Sequence, residues 1–225
     1  MLQDLIFLII ILLLFFISVR IGVLDIWGST AALFLGILVY YFGGAQYLII
    51  LVSFVAISYI ATVYKYRYKR DIYGMDKRRN IGSVISKGII PMLIIFLPLG
   101  GISRFYLFSV AVAAATADTV SGELGIFSEN TYSLIGLRRA VPGDEGAVSI
   151  LGEFYAFLSS SSIAILYYLF SLNMVLSIYV SIFGFLGSNF DSLLGATLEK
   201  KGYMGKHSVN FIAIIISIIL AYMII

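Results

Sequence analysis

The stretch 105-FYLFSVAVAAATADTVSGEL-124 decides how this chain folds. Its twenty residues suffice for one helix to cross the roughly 30 Å hydrocarbon core of a bilayer, and no charge interrupts it before Asp118. An ionised aspartate near the bilayer centre costs about 2.5–3.5 kcal/mol on insertion scales, so such residues face protein or water and not lipid. Ala111, Ala114, Ala115, Asp118 and Gly122 recur at helical i, i+3/i+4 spacing. Small residues on one stripe let a second membrane helix approach closely. The segment therefore reads as a spanning helix whose aspartate is set into a protein-facing stripe.

A second segment, 172–198, repeats the device with Gly184, Gly187, Ser188, Asp191 and Gly195. Around the acids, Asp118-Thr119-Val120-Ser121-Gly122 and Asp191-Ser192-Leu193-Leu194-Gly195 share the pattern D-[ST]-x-x-G, a weak sign of internal duplication. Apolar stretches of spanning length continue in both directions: 4–19, 25–43, 45–64, 84–102, 147–170 and 209–225 complete a set of eight. Gly43-Gly44 between the second and third suits a tight helical hairpin. Lys87, Pro91 and Pro98 interrupt the fourth, which a membrane helix tolerates when neighbours satisfy the freed carbonyls. Residues 1–19 lack a basic leader and a small-residue cleavage site, and so read as an anchor helix.

Composition agrees. Of 225 residues, 61% are hydrophobic and 12% charged, against about 45–50% and about 25% in soluble domains, and mean hydropathy is +1.04. Cysteine is absent and His207 is the single histidine, which excludes thiolate chemistry and histidine-rich metal sites. The expected fold class is all-α: a polytopic membrane helical bundle of about eight transmembrane helices, forming one integral membrane domain over 1–225.

Fourteen of the fifteen lysines and arginines fall on odd-numbered connections between these segments. They are Arg20; Lys65, Arg67, Lys69, Arg70, Lys77, Arg78 and Arg79, with Lys87 just inside the next span; Arg138 and Arg139; and Lys200, Lys201 and Lys206. Arg104 alone is on an even one. The positive-inside rule then puts the odd connections in the cytoplasm and both termini outside. A multi-pass protein of a prokaryotic plasma membrane, its active face toward the cytoplasm, is the expectation. The net charge of +3 is thereby spent on topology and is no nucleic-acid footprint. The run from Tyr64 to Arg70 reads as interface anchors, and Asp25 as a helix-terminus charge.

Both stripe aspartates thus arrive at the cytoplasmic leaflet. Two acids in one protein-lined pocket repel unless a cation or proton is shared. With Thr119 and Ser192 beside them, hard oxygen ligands predominate, which favours Mg2+ over zinc or iron. Glu123 lies five residues after Asp118, about 140° round an ideal helix, and joins the site only if the helix opens at Ser121-Gly122. The competing reading is a packing stripe whose aspartates are protonated or hydrogen-bonded across the bundle. Near the same leaflet, Arg78-Arg79-Asn80-Ile81-Gly82-Ser83 and Val141-Pro142-Gly143-Asp144-Glu145-Gly146 are glycine-bearing turns before helices, where backbone N–H groups receive phosphate. No P-loop signature exists.

Several of these motifs resemble the transmembrane protein 19 family, which includes the chloroplast phytyl-phosphate kinase of vitamin E synthesis. The likeness is carried by Arg79-Asn80 followed by Val84, Gly88 and Pro91; by Ala117-Asp118-Thr119-Val120-Ser121-Gly122-Glu123-Leu124-Gly125; by Val141-Pro142-Gly143; and by the stretch from Gly187 to Glu199 followed by Val209-Asn210. It covers about residues 79–211. Lys87, Gly122 and Asp144-Glu145 depart from the family pattern. The resemblance implies phosphoryl transfer from a nucleoside triphosphate, CTP favoured, to a polyprenyl monophosphate such as phytyl or geranylgeranyl phosphate. On that reading Asp118, Asp191 and Glu123 are catalytic and hold Mg2+. Arg79, Lys87, Arg138 and Arg139 neutralise phosphates, and Asn80, Ser149, Ser188 and Asn210 orient substrates. A homo-oligomer is compatible with the reading. The alternative from another class is a secondary transporter or ion channel, which calls for polar groups continuing across the midplane. A non-catalytic scaffold would tolerate neutral residues at 118 and 191.

Overall fold

A computed structural model describes residues 2–76, 78–99, 104–136 and 138–225 of the chain. Its elements run α1 (Leu2–Ile21), α2 (Ile26–Gly43), α3 (Ala45–Val63), α4 (Tyr66–Tyr73), α5 (Ile81–Phe96) and α6 (Arg104–Gly125), then β1 (Thr131–Ser133) and β2 (Ala147–Ser149). They finish with α7 (Ile150–Ser171), α8 (Met174–Leu194) continued by a π-helical turn (Gly195–Glu199), and α9 (Lys206–Met223). Among the described residues seven helices, α1–α3 and α6–α9, are long and apolar enough to cross a membrane. The polytopic helical bundle expected from the sequence is the observed fold.

The span count needs one qualification. The segment expected over 84–102 is helical only over Ile81–Phe96, sixteen residues, and is shorter than the about 20 that a full span takes. Leu97 is extended (φ −69°, ψ 136°) because a residue before proline, here Pro98, is forced out of the helical region. The end of that segment, 100–102, lies outside the described residues, as does Lys77 of the third connection.

Local chemistry sets most helix starts. Asp25 accepts from Gly28 N at 2.6 Å and caps α2; Asn80 accepts from Ser83 N at 3.1 Å and caps α5. Ser149 does the same for α7, and Asn173 for α8. Each satisfies an N–H that the first helical turn leaves without a partner. Gly44 (φ +92°) makes the expected turn between α2 and α3.

α6 is the axis of the bundle, packed against α3, α5, α7, α8 and α9. Tyr106, Phe108, Ile163, Tyr167 and Val180 form the centre of its apolar core. The small stripes on α6 and α8 interlock, as their spacing predicts: a Cβ added at Gly184 would lie 2.5 Å from Ala113 Cβ, and one at Gly187 2.5 Å from Ala114 Cβ. Gly187→Val is therefore expected to force α6 and α8 apart, lowering stability by about 1–3 kcal/mol, the usual range for overpacking. Thermal unfolding in detergent measures this; an unchanged midpoint would show that the helices do not meet there.

The connections α1–α2, α3–α5, α6–α7 and α8–α9 gather at one end of the bundle. Arg79 N donates to Val23 O at 3.2 Å and Asp25 N to Arg79 O at 3.0 Å, while Ser149 Oγ donates to Gly125 O at 3.1 Å. Arg104, the cation expected apart from the rest, is at the α5–α6 connection and donates to Ile95 O at 2.9 Å. Two features were not expected from the sequence. Residues 64–70 are not merely an anchor run but open into α4, a short amphipathic helix. The span expected from 147 starts at Ile150, because Ala147–Ser149 pairs antiparallel with Thr131–Ser133.

Candidate functional site

At the gathered end is a cavity of about 430 Å3, within the range of small-molecule sites. Asp118 and Asp191 both line it. Asp118 comes from the last turns of α6 and Asp191 from the end of α8, and the packing of α6 on α8 brings both to the same recess. Lys87, in the second turn of α5, donates to Asp118 Oδ2 at 2.5 Å and to Thr119 Oγ1 at 2.6 Å. On the other side Asn210 of α9, with its amide in the orientation that satisfies hydrogen bonding, donates to Asp191 Oδ1 at 2.7 Å. Behind the pair a narrow recess of about 10 Å3 ends among Ala114, Gly187, Ala213 and Ile214; it has room for about one water.

Glu123 is arranged differently. α6 stays helical through Ser121-Gly122 to Gly125, so the opening that would swing Glu123 toward Asp118 does not occur. The side chain is 2% exposed. Its Oε2 accepts from Lys69 Nζ at 2.6 Å, and its Oε1 accepts from Thr62 Oγ1 at 3.0 Å and from Arg79 Nη2. Both oxygens are thus engaged by protein donors. The expectation of Glu123 as a third ligand beside the aspartates is corrected to that of an ion-paired carboxylate at the cavity wall.

Of the other expected contacts, Arg79, Lys87 and Ser149 line the cavity, and Asn210 reaches its inner end. Three of the candidates make hydrogen bonds to the scaffold. Ser149 Oγ caps α7 and bonds Gly125 O, exposed Asn80 caps α5, and buried Ser188 donates to Phe185 O of its own helix at 2.9 Å. Arg138 and Arg139 are exposed beside the β1–β2 ribbon, where Ser133 N donates to Arg138 O; the structure does not bring them to the cavity lining. A cap serine or asparagine holds a helix start and is worth about 1 kcal/mol. These are the contacts the structure gives Asn80, Ser149 and Ser188.

Sequence reasoning missed two participants, Lys69 and Lys206. Lys69, read as an interface anchor, is 0% exposed and also donates to Ala61 O at 2.8 Å. Lys206, read as a topology charge, lines the cavity at the start of α9, 3.6 Å from Glu145. Glu153 lines it too and accepts from Asn189 Nδ2 at 3.0 Å. Its place near the start of an apolar segment marks it in the sequence as a carboxylate whose part in the site was open.

The turn Pro142–Gly146 closes one side of the cavity against the π-helical turn. A Cβ at Gly146 would overlap Ala196 N, and Gly146 has φ +73°. π-Turns of this kind are frequent at functional sites. Gly146→Ala is expected to lift the turn off Gly195 and Ala196 and expose both to solvent. Hydrogen exchange at residues 193–199 reads this out, and unaltered protection would contradict it.

Seven carboxylates line the cavity among the described residues, against the three cations Arg79, Lys87 and Lys206. Such an excess of acid at one end of an apolar bundle repels a bare anion and attracts small cations.

A helical membrane bundle with a charged, ion-paired cavity at one end defines this chain as a polytopic integral membrane protein. The chain belongs to the integral membrane protein family DUF92, whose model matches residues 9–218. Among curated proteins it is similar to an uncharacterized membrane protein of Methanocaldococcus jannaschii, 31% identical over 203 residues, 89% of this chain and 85% of the relative. It is also similar to an uncharacterized membrane protein of Synechocystis, 26% identical over 196 residues, 78% of this chain and 72% of the relative. No solved structure matches it.

Proposed function

We propose that this protein is a nucleotide-dependent kinase, using CTP by preference, that converts a polyprenyl monophosphate such as phytyl or geranylgeranyl phosphate to the diphosphate. The observation that carries the proposal is the facing pair Asp118 and Asp191 in a cavity where carboxylates outnumber cations. Phosphates enter such a site together with divalent ions. The donor set fits Mg2+, which keeps several waters and takes one or two carboxylates plus substrate phosphates. Asp118 and Asp191 would hold it, and Mg2+ when bound neutralises phosphate charge and orients the transferring group.

The chain's own side chains account for the remaining tasks. A phosphate monoester has a second pKa of about 6, so its attacking oxygen is ionised at neutral pH. No general base is required, which suits a cavity without histidine among its lining residues. One oxygen of the prenyl phosphate attacks the γ-phosphorus, the bond from γ-phosphorus to the β,γ-bridging oxygen breaks, and the nucleoside diphosphate leaves with that electron pair. Arg79, Lys87 and Lys206 offset the charge that two polyanions bring together. Asn210 fixes the rotamer of Asp191, and Thr119 that of Lys87. The prenyl chain stays among the helices or against lipid. With the cation-bearing connections in the cytoplasm, donor nucleotide reaches the cavity directly.

A transporter would need polar groups beyond the recess. Among the buried hydroxyls farther along, three bond backbone carbonyls, Ser109 to Phe105 O, Thr116 to Val112 O and Ser217 to Phe183 O, while Tyr106 Oη is buried without a partner among the described residues. The testing experiment supplies purified protein in nanodiscs with Mg2+, γ-labelled CTP, ATP or GTP, and phytyl or geranylgeranyl monophosphate. Labelled prenyl diphosphate is the expected product. Its absence with every donor, together with ion or solute flux in liposomes, would replace the kinase by a transporter.

A further inference from the structure

Thr62, Lys69 and Glu123 form a buried cluster with a charge imbalance at its edge. Glu123 is one carboxylate facing two cations, Lys69 and Arg79. Lys69 and Glu123 are sealed, at 1% and 2% side-chain exposure, whereas Arg79 is 34% exposed and lines the cavity. Lys69 is satisfied where it stands, by Glu123 and by Ala61 O. The surplus positive charge is therefore expressed at Arg79, on the side open to the cavity.

Arg79 is also fixed at both ends. Its backbone is bridged to Val23 and Asp25, and its side chain is held through Nη2 by Glu123. A guanidinium has five N–H donors in a planar fork, and one contact to a carboxylate leaves the rest of that fork for the cavity. Planar forks bind phosphate oxygens in pairs. Glu123 is five residues beyond Asp118, which is about 7.5 Å of rise along α6. The guanidinium and the aspartate pair are thus two stations spaced along one cavity, one for an anion and one for a cation.

We infer that Glu123 is a positioning residue and not a metal ligand: with Thr62 and Lys69 behind it, it aims Arg79 at a phosphate group of the bound substrate. The inference deepens the kinase reading by giving one phosphate a named receptor. It also stands apart from that reading, since a preset Arg79 binds a phosphate anion whether or not transfer follows. α4 thereby acquires a task, because burying Lys69 is what locks the carboxylate from behind.

The test uses full-length protein in nanodiscs and inorganic pyrophosphate as the probe, titrated calorimetrically at fixed magnesium, with Mn2+ affinity measured in parallel. Arg79→Lys keeps a charge for Glu123 but removes the fork; it is expected to unfold at the wild-type temperature and to bind pyrophosphate about tenfold more weakly. Glu123→Gln is expected to weaken pyrophosphate at least as much while Mn2+ affinity stays within about twofold. Should Glu123→Gln fail to fold, Arg79→Lys carries the test alone. Unchanged pyrophosphate affinity in Arg79→Lys overturns the inference, as does a loss of Mn2+ affinity in Glu123→Gln, which would make Glu123 a ligand. Loss of transfer activity with pyrophosphate binding intact would bear on the kinase reading only.

Discussion

Asp118→Asn and Asp191→Asn are each expected to lower prenyl-phosphate phosphorylation by about 100-fold or more, the scale for removing a group that stabilises charge in a transition state. The substitutions are nearly isosteric, so the interlocked stripes on α6 and α8 stay together. What changes is charge. In Asp191→Asn the Lys87–Asp118 pair is left balanced. That variant is expected to unfold at or above the wild-type temperature while its turnover is lost, the trade between stability and activity common at functional sites. Asp118→Asn leaves Lys87 without its 2.5 Å partner and should be the less stable of the two. Paired turnover and thermal-unfolding measurements check both statements. Full activity in either variant would remove the aspartate pair from the reaction.

Lys69→Met carries the largest expected effect on stability. Breaking a buried pair by removing one partner typically costs about 3–5 kcal/mol, because the other charge stays buried. Here Glu123 keeps Arg79 and Thr62, so about 3 kcal/mol is expected. An unfolding midpoint in detergent lowered by several degrees is the readout. The double variant Lys69→Met, Glu123→Leu should regain much of that loss, since apolar replacement of a buried pair is often neutral. It should not regain pyrophosphate affinity, because Arg79 would have lost its guide. A single variant as stable as wild type would place Lys69 in water, contrary to its burial.

The spans and the aspartate stripes were legible because helical periodicity and small residues are local signals. Asp118 and Asp191 share their pattern within five residues, and Gly187 and Ala114, which meet in the structure, belong to the small-residue stripes ahead of them. The gathering of the cationic connections was legible as well, since charge asymmetry between loops records topology. Lys69 was not. A run of alternating tyrosines and cations looks like an interface anchor, and nothing near it announces a carboxylate 54 residues away. The strands Thr131–Ser133 and Ala147–Ser149 are three residues each, too short to show an alternating pattern. The capping roles of Asn80 and Ser149 were legible too, since each stands where a helix cap belongs, just ahead of an apolar helical run. Arg138 and Arg139 fell to the ribbon, whose turn holds them out into solvent.

The account stands on Asp118 and Asp191 sharing a divalent ion next to a phosphate. Electron paramagnetic resonance of Mn2+ added to the protein with bound CTP tests this without relying on turnover. The account predicts a protein-bound Mn2+ signal with phosphorus-31 couplings from the nucleotide, abolished in Asp118→Asn and in Asp191→Asn. The same bound signal persisting unaltered in both variants would contradict it.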